Sequence, residues 1–429
     1  MNRVSSVLCA LSLSACLTSM PNAEPSTTPA PEANSPSETA KSTGSKTAKA
    51  DEKPAAHKQL QRVVGYFPDW TYGRDAKCRY TVEDIDPMLF THLNFAFARV
   101  DGGDRKAPTF KLAPFDKTDL GPTGQYARFV ALKKKNPKLK VLLSVGGWTH
   151  SDPPNDWIFS TMADSADGRK QFIDSAIKYL RENGFDGLDL DWEYPSEPTR
   201  GGRAQDTKNY VKLLSEVRAG FEAEKLPSGK DKLLFTVAAP SGVYIKWYDL
   251  PKIHGSLDWI NLMSYDYAGA WDHRTGHNAP NPAHGPGVAA SVSIYRGFGV
   301  PADKIVVGLA AYGHTFGGAT ESKVGSPSTQ SGPKQECTQE PGLVAYSEML
   351  KILSSGRAKE EWDEVAHVPY AYDEKAQVFL SYDNPKSWDN KLDFIEEQGL
   401  GGAMVWEIDQ DDFKHGNPLI STATKRLPK

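Results

Sequence analysis

The chain has 429 residues, 39% of them hydrophobic and 24% charged: enough apolar material for a large core, diluted by something polar. With 50 basic against 54 acidic side chains and a formal net charge of −4, it lacks the cationic surplus of a nucleic-acid-binding protein. No run of residues approaches the ~20 apolar positions of a membrane-spanning helix.

Taken in chain order, Arg3 precedes an apolar stretch from Val4 to Leu13, the charged and hydrophobic parts of an export signal. It ends Leu13-Ser14-Ala15-Cys16, which resembles the bacterial lipobox, whose cysteine is lipidated after cleavage. Residues 1–16 are therefore read as a lipoprotein-type signal, and contact with a membrane is expected only through an anchor at Cys16. The expected location is the cell envelope or the exterior. From Pro21 to Lys58 there is no Val, Ile, Leu, Met, Phe, Trp or Tyr. Such a segment cannot bury enough apolar area to offset the entropy of ordering, so residues 17–58 are expected to form a disordered tether. Of the 4 cysteines, Cys9 leaves with the signal and Cys16 is the anchor. Cys78 and Cys337 remain, and geometry decides whether they pair. No Cys-x-x-Cys spacing supports zinc.

From residue 60 to 429 the pattern alternates strand and helix. Strands are expected at Arg62–Phe67, Phe90–Arg99, Lys140–Val145, Gly187–Glu193, Leu233–Ala239, Trp259–Tyr265, Lys304–Ala310 and Gly402–Glu407. Amphipathic stretches separate several of them. In Gln171–Asn183, for example, Phe172, Ile173, Ala176, Ile177 and Leu180 share a face and Gly184 marks the stop. Eight strand–helix units with nearly continuous apolar strands predict an α/β fold, a (β/α)8 TIM barrel with its active site at the carboxyl ends of the strands. The connection from Tyr312 to Trp406 is far too long for one such unit. It is read as a small α+β insertion at about 315–385, between strands seven and eight, with a helix at Ala345–Leu353 and strands near Tyr370–Tyr372 and Val378–Tyr382.

Chemistry concentrates in Asp186-Gly187-Leu188-Asp189-Leu190-Asp191-Trp192-Glu193. Alternate residues of a strand share a face, so Asp189, Asp191 and Glu193 point together into the barrel mouth. Three sheltered carboxyls cannot all ionise cheaply, and one is expected to hold a proton near neutral pH as a general acid. Glu193, nearest the open end, is that candidate. Carboxyls from one strand approach a substrate from one side, whereas glycosidases with two carboxyls at work place them on opposite sides of the bond. If the reaction is glycoside hydrolysis, the nucleophile comes from the substrate, as with a 2-acetamido sugar. A divalent cation is the competing use of three carboxylates, but the apolar residues between them leave too few oxygens. His273, His277 and His284, in a Gly/Pro/Asn-rich loop, are read as solvated.

Asp186–Glu193 fits the Asp-x-x-Asp-x-Asp-x-Glu signature of glycoside hydrolase family 18, and the chain resembles the bacterial chitinases of that family. Ser144-Val145-Gly146-Gly147-Trp148 is similar to the family's Ser-x-Gly-Gly motif, Met263-Ser264-Tyr265-Asp266 to its strand-six motif, and Trp406 stands where its strand-eight Trp does. The resemblance implies a chitinase that hydrolyses β-1,4-N-acetylglucosamine linkages through an oxazolinium intermediate. Glu193, Asp191, Asp189 and Tyr265 would be catalytic. Trp406, Trp148, Trp271, Asp266, Met263, Tyr66 and Ser144 would bind substrate, with no metal and no cofactor. Asp186 has the opposite strand parity and is left with a structural role. The family's frequent Tyr-Gly-Arg is replaced by Tyr312-Gly313-His314, so an Arg contact to the sugar is lost or supplied otherwise. A monomer acting on chitin or chitooligosaccharides is expected. An endo-β-N-acetylglucosaminidase acting on glycans or peptidoglycan is the nearest alternative, and a chitin-binding lectin the more distant one.

Overall fold

The computed structural model describes residues 59–428, apart from residue 227 and residues 282–284. The expected signal, the expected anchor at Cys16, the expected tether and His284 lie outside the described residues.

All eight expected barrel strands form: β1 Val63–Pro68, β2 His92–Asp104, β3 Lys140–Gly146, β4 Gly187–Asp191, β5 Leu234–Pro240, β6 Trp259–Met263, β7 Ile305–Ala310 and β8 Gly402–Trp406. Each pairs in parallel with its neighbour, and β1 closes the ring by pairing with both β2 and β8. The strands read as apolar runs because both faces are covered. Val141, Leu143, Val145, Leu188 and Leu190 face the helical layer, while Val64, Leu142, Trp259, Val306 and Met404 pack inside the barrel. The helix expected at Gln171–Asn183 begins earlier, at Ala166, because the Ser165 side chain caps it by accepting from the Gly168 N–H at 2.9 Å. Gly184 ends it in the left-handed conformation, as the sequence implied.

Three strands differ from expectation by two residues or more, β6 among them, which stops at Met263 rather than Tyr265. β2 runs five residues past Arg99 and turns back into an antiparallel partner at Ala107–Pro114. β4 stops at Asp191 rather than Glu193, because the carbonyls that would continue the ladder are taken by side chains. The Trp192 carbonyl accepts from the Tyr248 hydroxyl at 2.9 Å, and that of Glu193 accepts from Arg200 Nε at 2.6 Å. Side-chain capture thus frees Glu193 from the sheet.

After β7 the chain builds a second, antiparallel sheet. Its strand order is Gln330–Ser331, Tyr312–Gly317, Val378–Ser381, Val368–Asp373 and Lys359–Asp363, with Leu343–Ala345 also pairing to Tyr312–Gly317. A helix spans Tyr346–Ser354. The loop after β6 is stitched to this sheet. Asn278 N–H donates to Ser381 Oγ at 2.7 Å, and His277 Nε2 meets Asp363 at 3.0 Å. His277 is therefore buried and paired, not solvated, and burial lowers its proton affinity. His273 alone of the described pair of loop histidines stays exposed. Cys78 and Cys337, 259 residues apart, form a disulfide between the loop after β1 and the segment that precedes Leu343–Ala345. Among the described residues no helix is long and apolar enough to cross a membrane.

Candidate active site

The carboxylate strand sits in the barrel with its base saturated by donors. Asp189 is fully buried, and its Oδ2 accepts from the hydroxyls of Tyr66 and Ser144, each at 2.7 Å. Its Oδ1 accepts from the Thr236 hydroxyl at 2.6 Å and from Asn261 Nδ2 at 3.1 Å. These partners come from β1, β3, β5 and β6. Burial pushes the Asp189 carboxyl upward, and the four donors pull it back.

Two residues further along, the donors run out. Asp191 is buried, and its Oδ1 has no hydrogen-bond partner. Burial first, then the charges of Glu193 and Asp189, drive its carboxyl well above the usual range, opposed only by Arg200. Glu193, also buried, is pushed up to about 7 by burial, with Arg200 and a Tyr194 hydrogen bond pulling the other way. The Ser-x-Gly-Gly pattern explains how β3 comes so close. A Cβ on Gly146 would lie 2.0 Å from the Asp191 carbonyl oxygen, at a φ of +117°. That carbonyl instead accepts from the Gly147 N–H at 2.9 Å. Both glycines are needed for the two strand ends to meet.

Arg200 organises this mouth. It holds the Glu193 carbonyl, pairs with Asp152 at 3.1 Å, donates to the Trp148 carbonyl, and lies 3.5 Å above the Trp148 ring. One face of Trp148 is thus covered by a guanidinium.

On the opposite rim, Tyr265 is buried beside Met263 in the inner cluster, and β7 makes room for it. A Cβ at Gly308 would stand 2.8 Å from the Tyr265 ring. Asp266, at a φ of +59°, is exposed, and its Oδ1 accepts from the Tyr312 hydroxyl and from His314 Nε2 at 2.8 Å. His314 therefore supplies a donor to the rim where the family pattern has Arg. Trp271 is 51% exposed and meets the His314 ring edge-on at 5.1 Å.

A wall of aromatic rings closes the remaining side. Trp406, at the end of β8, packs within 5.5 Å of Tyr66, 5.8 Å of Phe97 and 6.2 Å of Trp70, measured between ring centres. Tyr66 lies under this wall, 1% exposed, its hydroxyl donating to Asp189; the expected sugar contact is corrected to support of the carboxylate. Ser144 is likewise buried beneath the site, on Asp189. Asp186 points outward, pairing with Lys133 at 3.0 Å and accepting from the Val141 N–H.

Five further residues stand at the site without a motif that marks them: Trp70, Phe97, Thr236, Asn261 and Arg200. Trp70, 45% exposed, lies two residues past β1, and a search for aromatics just beyond strand ends finds it. Thr236 and Asn261 have the inward parity of their strands. Arg200 has no comparable signal, since a loop places it.

A closed parallel barrel whose fourth strand delivers a buried acid to an aromatic-walled mouth defines a glycoside-hydrolase type of site. The sequence profile of Glycosyl hydrolases family 18 matches residues 62–411. Chitotriosidase-1 of Mus musculus is 36% identical over 384 residues, covering 85% of this chain and 78% of the mouse protein. The group IV chitinase of Ostrinia furnacalis superposes with a TM-score of 0.77 at 32% identity, covering 86% of this chain and 100% of that one. Human YKL-39, described as a pseudo-chitinase with retained chitooligosaccharide binding, superposes with a TM-score of 0.76 at 33% identity, covering 86% and 99%. The chain belongs to glycosyl hydrolase family 18.

Proposed function

We propose that the protein is a chitinase, cleaving β-1,4-linked N-acetylglucosamine chains with retention by substrate assistance. The observation that carries this reading is the buried, unpartnered Oδ1 of Asp191 beside Glu193. A buried acceptor with no donor is costly unless a ligand supplies one. The acetamido N–H of a 2-acetamido sugar is such a donor.

In this mechanism Glu193 donates its proton to the glycosidic oxygen, and the leaving sugar departs with the bonding pair. The acetamido carbonyl oxygen attacks C1, forming an oxazolinium ion. Asp191 accepts the acetamido N–H and offsets the positive charge as it develops, while Asp189 and its donors hold Asp191 in place. Water activated by the Glu193 carboxylate then opens the ring, returning the proton and giving the product with its anomeric configuration retained. The Tyr265 hydroxyl donates to the acetamido oxygen, Asp266 and Met263 line its surroundings, and Trp406 forms the floor beneath the distorted sugar. Trp70, Trp148 and Trp271 offer flat faces to flanking sugars.

The chitooligosaccharide-binding pseudo-chitinase marks the alternative of binding without turnover, but Glu193 here has both the position and the raised proton affinity of a working acid. For residues 1–58 we propose an export signal, lipid attachment at Cys16 and a tether. The Cys78–Cys337 disulfide fits an oxidising compartment.

The test is a product analysis with chitin oligomers, a peptidoglycan fragment and a glycoprotein as parallel substrates. Cleavage of the chitin oligomers alone or foremost supports the proposal. Release from peptidoglycan or glycoprotein with the oligomers left intact overturns the choice of chitin.

A further inference from the structure

Behind the aromatic wall lies a second acidic group that the proposed mechanism does not use. Glu407 and Asp409 follow Trp406 directly, and both are buried, at 3% and 5% exposure. Glu407 Oε1 accepts from Gln410 Nε2 at 2.8 Å, and Asp409 Oδ2 accepts from Arg74 Nη1 at 2.5 Å. The other two oxygens, Glu407 Oε2 and Asp409 Oδ1, are buried with no donor. The two carboxyls, two residues apart in one loop, lie close enough for the Asp409 charge to raise the proton affinity of Glu407. Buried carboxyl oxygens with no donor are costly as anions, and one proton held between neighbouring carboxyls relieves both. One shared proton leaves the pair with a single negative charge, which Arg74 balances. Without the proton, two buried carboxylates would face one guanidinium.

The location gives this pair its consequence. Arg74 caps the turn Asp69–Gly73 that carries Trp70, while Glu407 and Asp409 belong to the loop that leaves β8 directly after Trp406. The same two loops meet again where Tyr80 packs on Phe413 at 4.7 Å and Lys414 donates to the Lys77 carbonyl at 2.7 Å. We infer that Glu407 is a positioning residue: the proton it shares with Asp409, together with Arg74, clamps the Trp70 turn to the loop that follows Trp406 and sets the spacing of Trp70 and Trp406 for a long sugar chain. This rests on the proposed action on N-acetylglucosamine oligomers.

A clamp on the wall acts on occupancy by long chains and leaves bond cleavage alone. Burial, then the Asp409 charge, raises the proton affinity of Glu407, with Arg74 and Gln410 opposing. Glu348 acts on Arg74, the Glu407 charge on Tyr312 and the Asp409 charge on Tyr80, so Glu348, Tyr312 and Tyr80 are the further titratable groups around the pair.

The test compares Glu407→Ala and Glu407→Gln in the full chain, on chitohexaose and on a short aryl chitobioside. Glu407→Ala is expected to raise KM for the hexamer about two- to tenfold, the scale of one aromatic contact, with kcat on the short substrate within about twofold. Glu407→Gln keeps a neutral donor toward Asp409 and is expected to restore the hexamer KM. Infrared difference spectra of wild type against Glu407→Gln, without any substrate, are expected to show a protonated carboxyl band in the wild type only. A hexamer KM unchanged in Glu407→Ala, equal losses on both substrates, or no carboxyl band each overturns the inference. Should Glu407→Ala not fold, Arg74→Gln cuts the clamp at its other end and carries the same length-dependent expectation. If the wild type cleaves neither substrate, the functional reading fails, while the infrared band still decides the shared proton.

Discussion

The base and the mouth of β4 use the same side-chain type in opposite ways. At the base, Asp189 meets four donors from four strands. At the mouth, Asp191 keeps a buried oxygen with no donor at all, and Glu193 is pushed up to about 7. Converging donors oppose the rise in proton affinity that burial imposes on a carboxyl; their absence leaves a place for a proton or a ligand. Residues one alternation apart therefore divide into a carboxyl surrounded by donors and a pair left without them.

The sharpest way to break that contrast is at the mouth. Glu193→Gln is expected to lower turnover ~10²–10⁴-fold while oligosaccharide binding persists, measured by initial rates and calorimetry. Near-normal hydrolysis would remove Glu193 from the role of acid. Next come paired measurements of stability and rate. Asp189→Ala strands four donors and is expected to cost about 2–4 kcal/mol in chemical denaturation. Asp191→Ala is expected to cost less than about 1 kcal/mol, yet to abolish most turnover. Equal stability losses at the two positions would erase the distinction.

The mouth also predicts a pH dependence. Because the Glu193 proton affinity is raised in the folded state, its acid form persists to about pH 7, and kcat/KM should fall as pH rises beyond that. The linked stability has the same sign: it is full below the ordinary carboxyl range and is lost as pH climbs through about 7. Glu193→Gln should flatten both profiles. Replacing Cys78 and Cys337 together with Ser should lower stability by about 2–5 kcal/mol without shifting the pH profile, since that bridge ties outer loops together. The smallest effect belongs to the rim. Trp271→Ala should raise KM about two- to tenfold, with kcat nearly unchanged.

The fold was legible because the physics behind it is periodic. Apolar runs covered on both faces, helix stops such as Gly184 and the overlong connection after β7 all leave marks in the chain. The alternation of Asp189, Asp191 and Glu193 was readable for the same reason. What was not legible depends on partners distant in sequence. β4 ends early because Tyr248 and Arg200 take its carbonyls, and no local pattern announces that. His277 looked solvated in a polar loop, but Asp363, 86 residues away, buries it. Tyr66 was expected to touch the sugar and instead lies buried on Asp189, because strand parity gives the face and not the depth.

The most direct measurement of the proposed chemistry is the anomeric configuration of freshly released product, followed by proton NMR during the first turnovers on a chitin oligomer. Carboxyls delivered from one side, with the substrate's own acetamido group as nucleophile, predict the β-anomer first, with α appearing only by mutarotation. Initial release of the α-anomer would mean direct attack by water, and neither Asp191 nor Glu193 could then act as proposed.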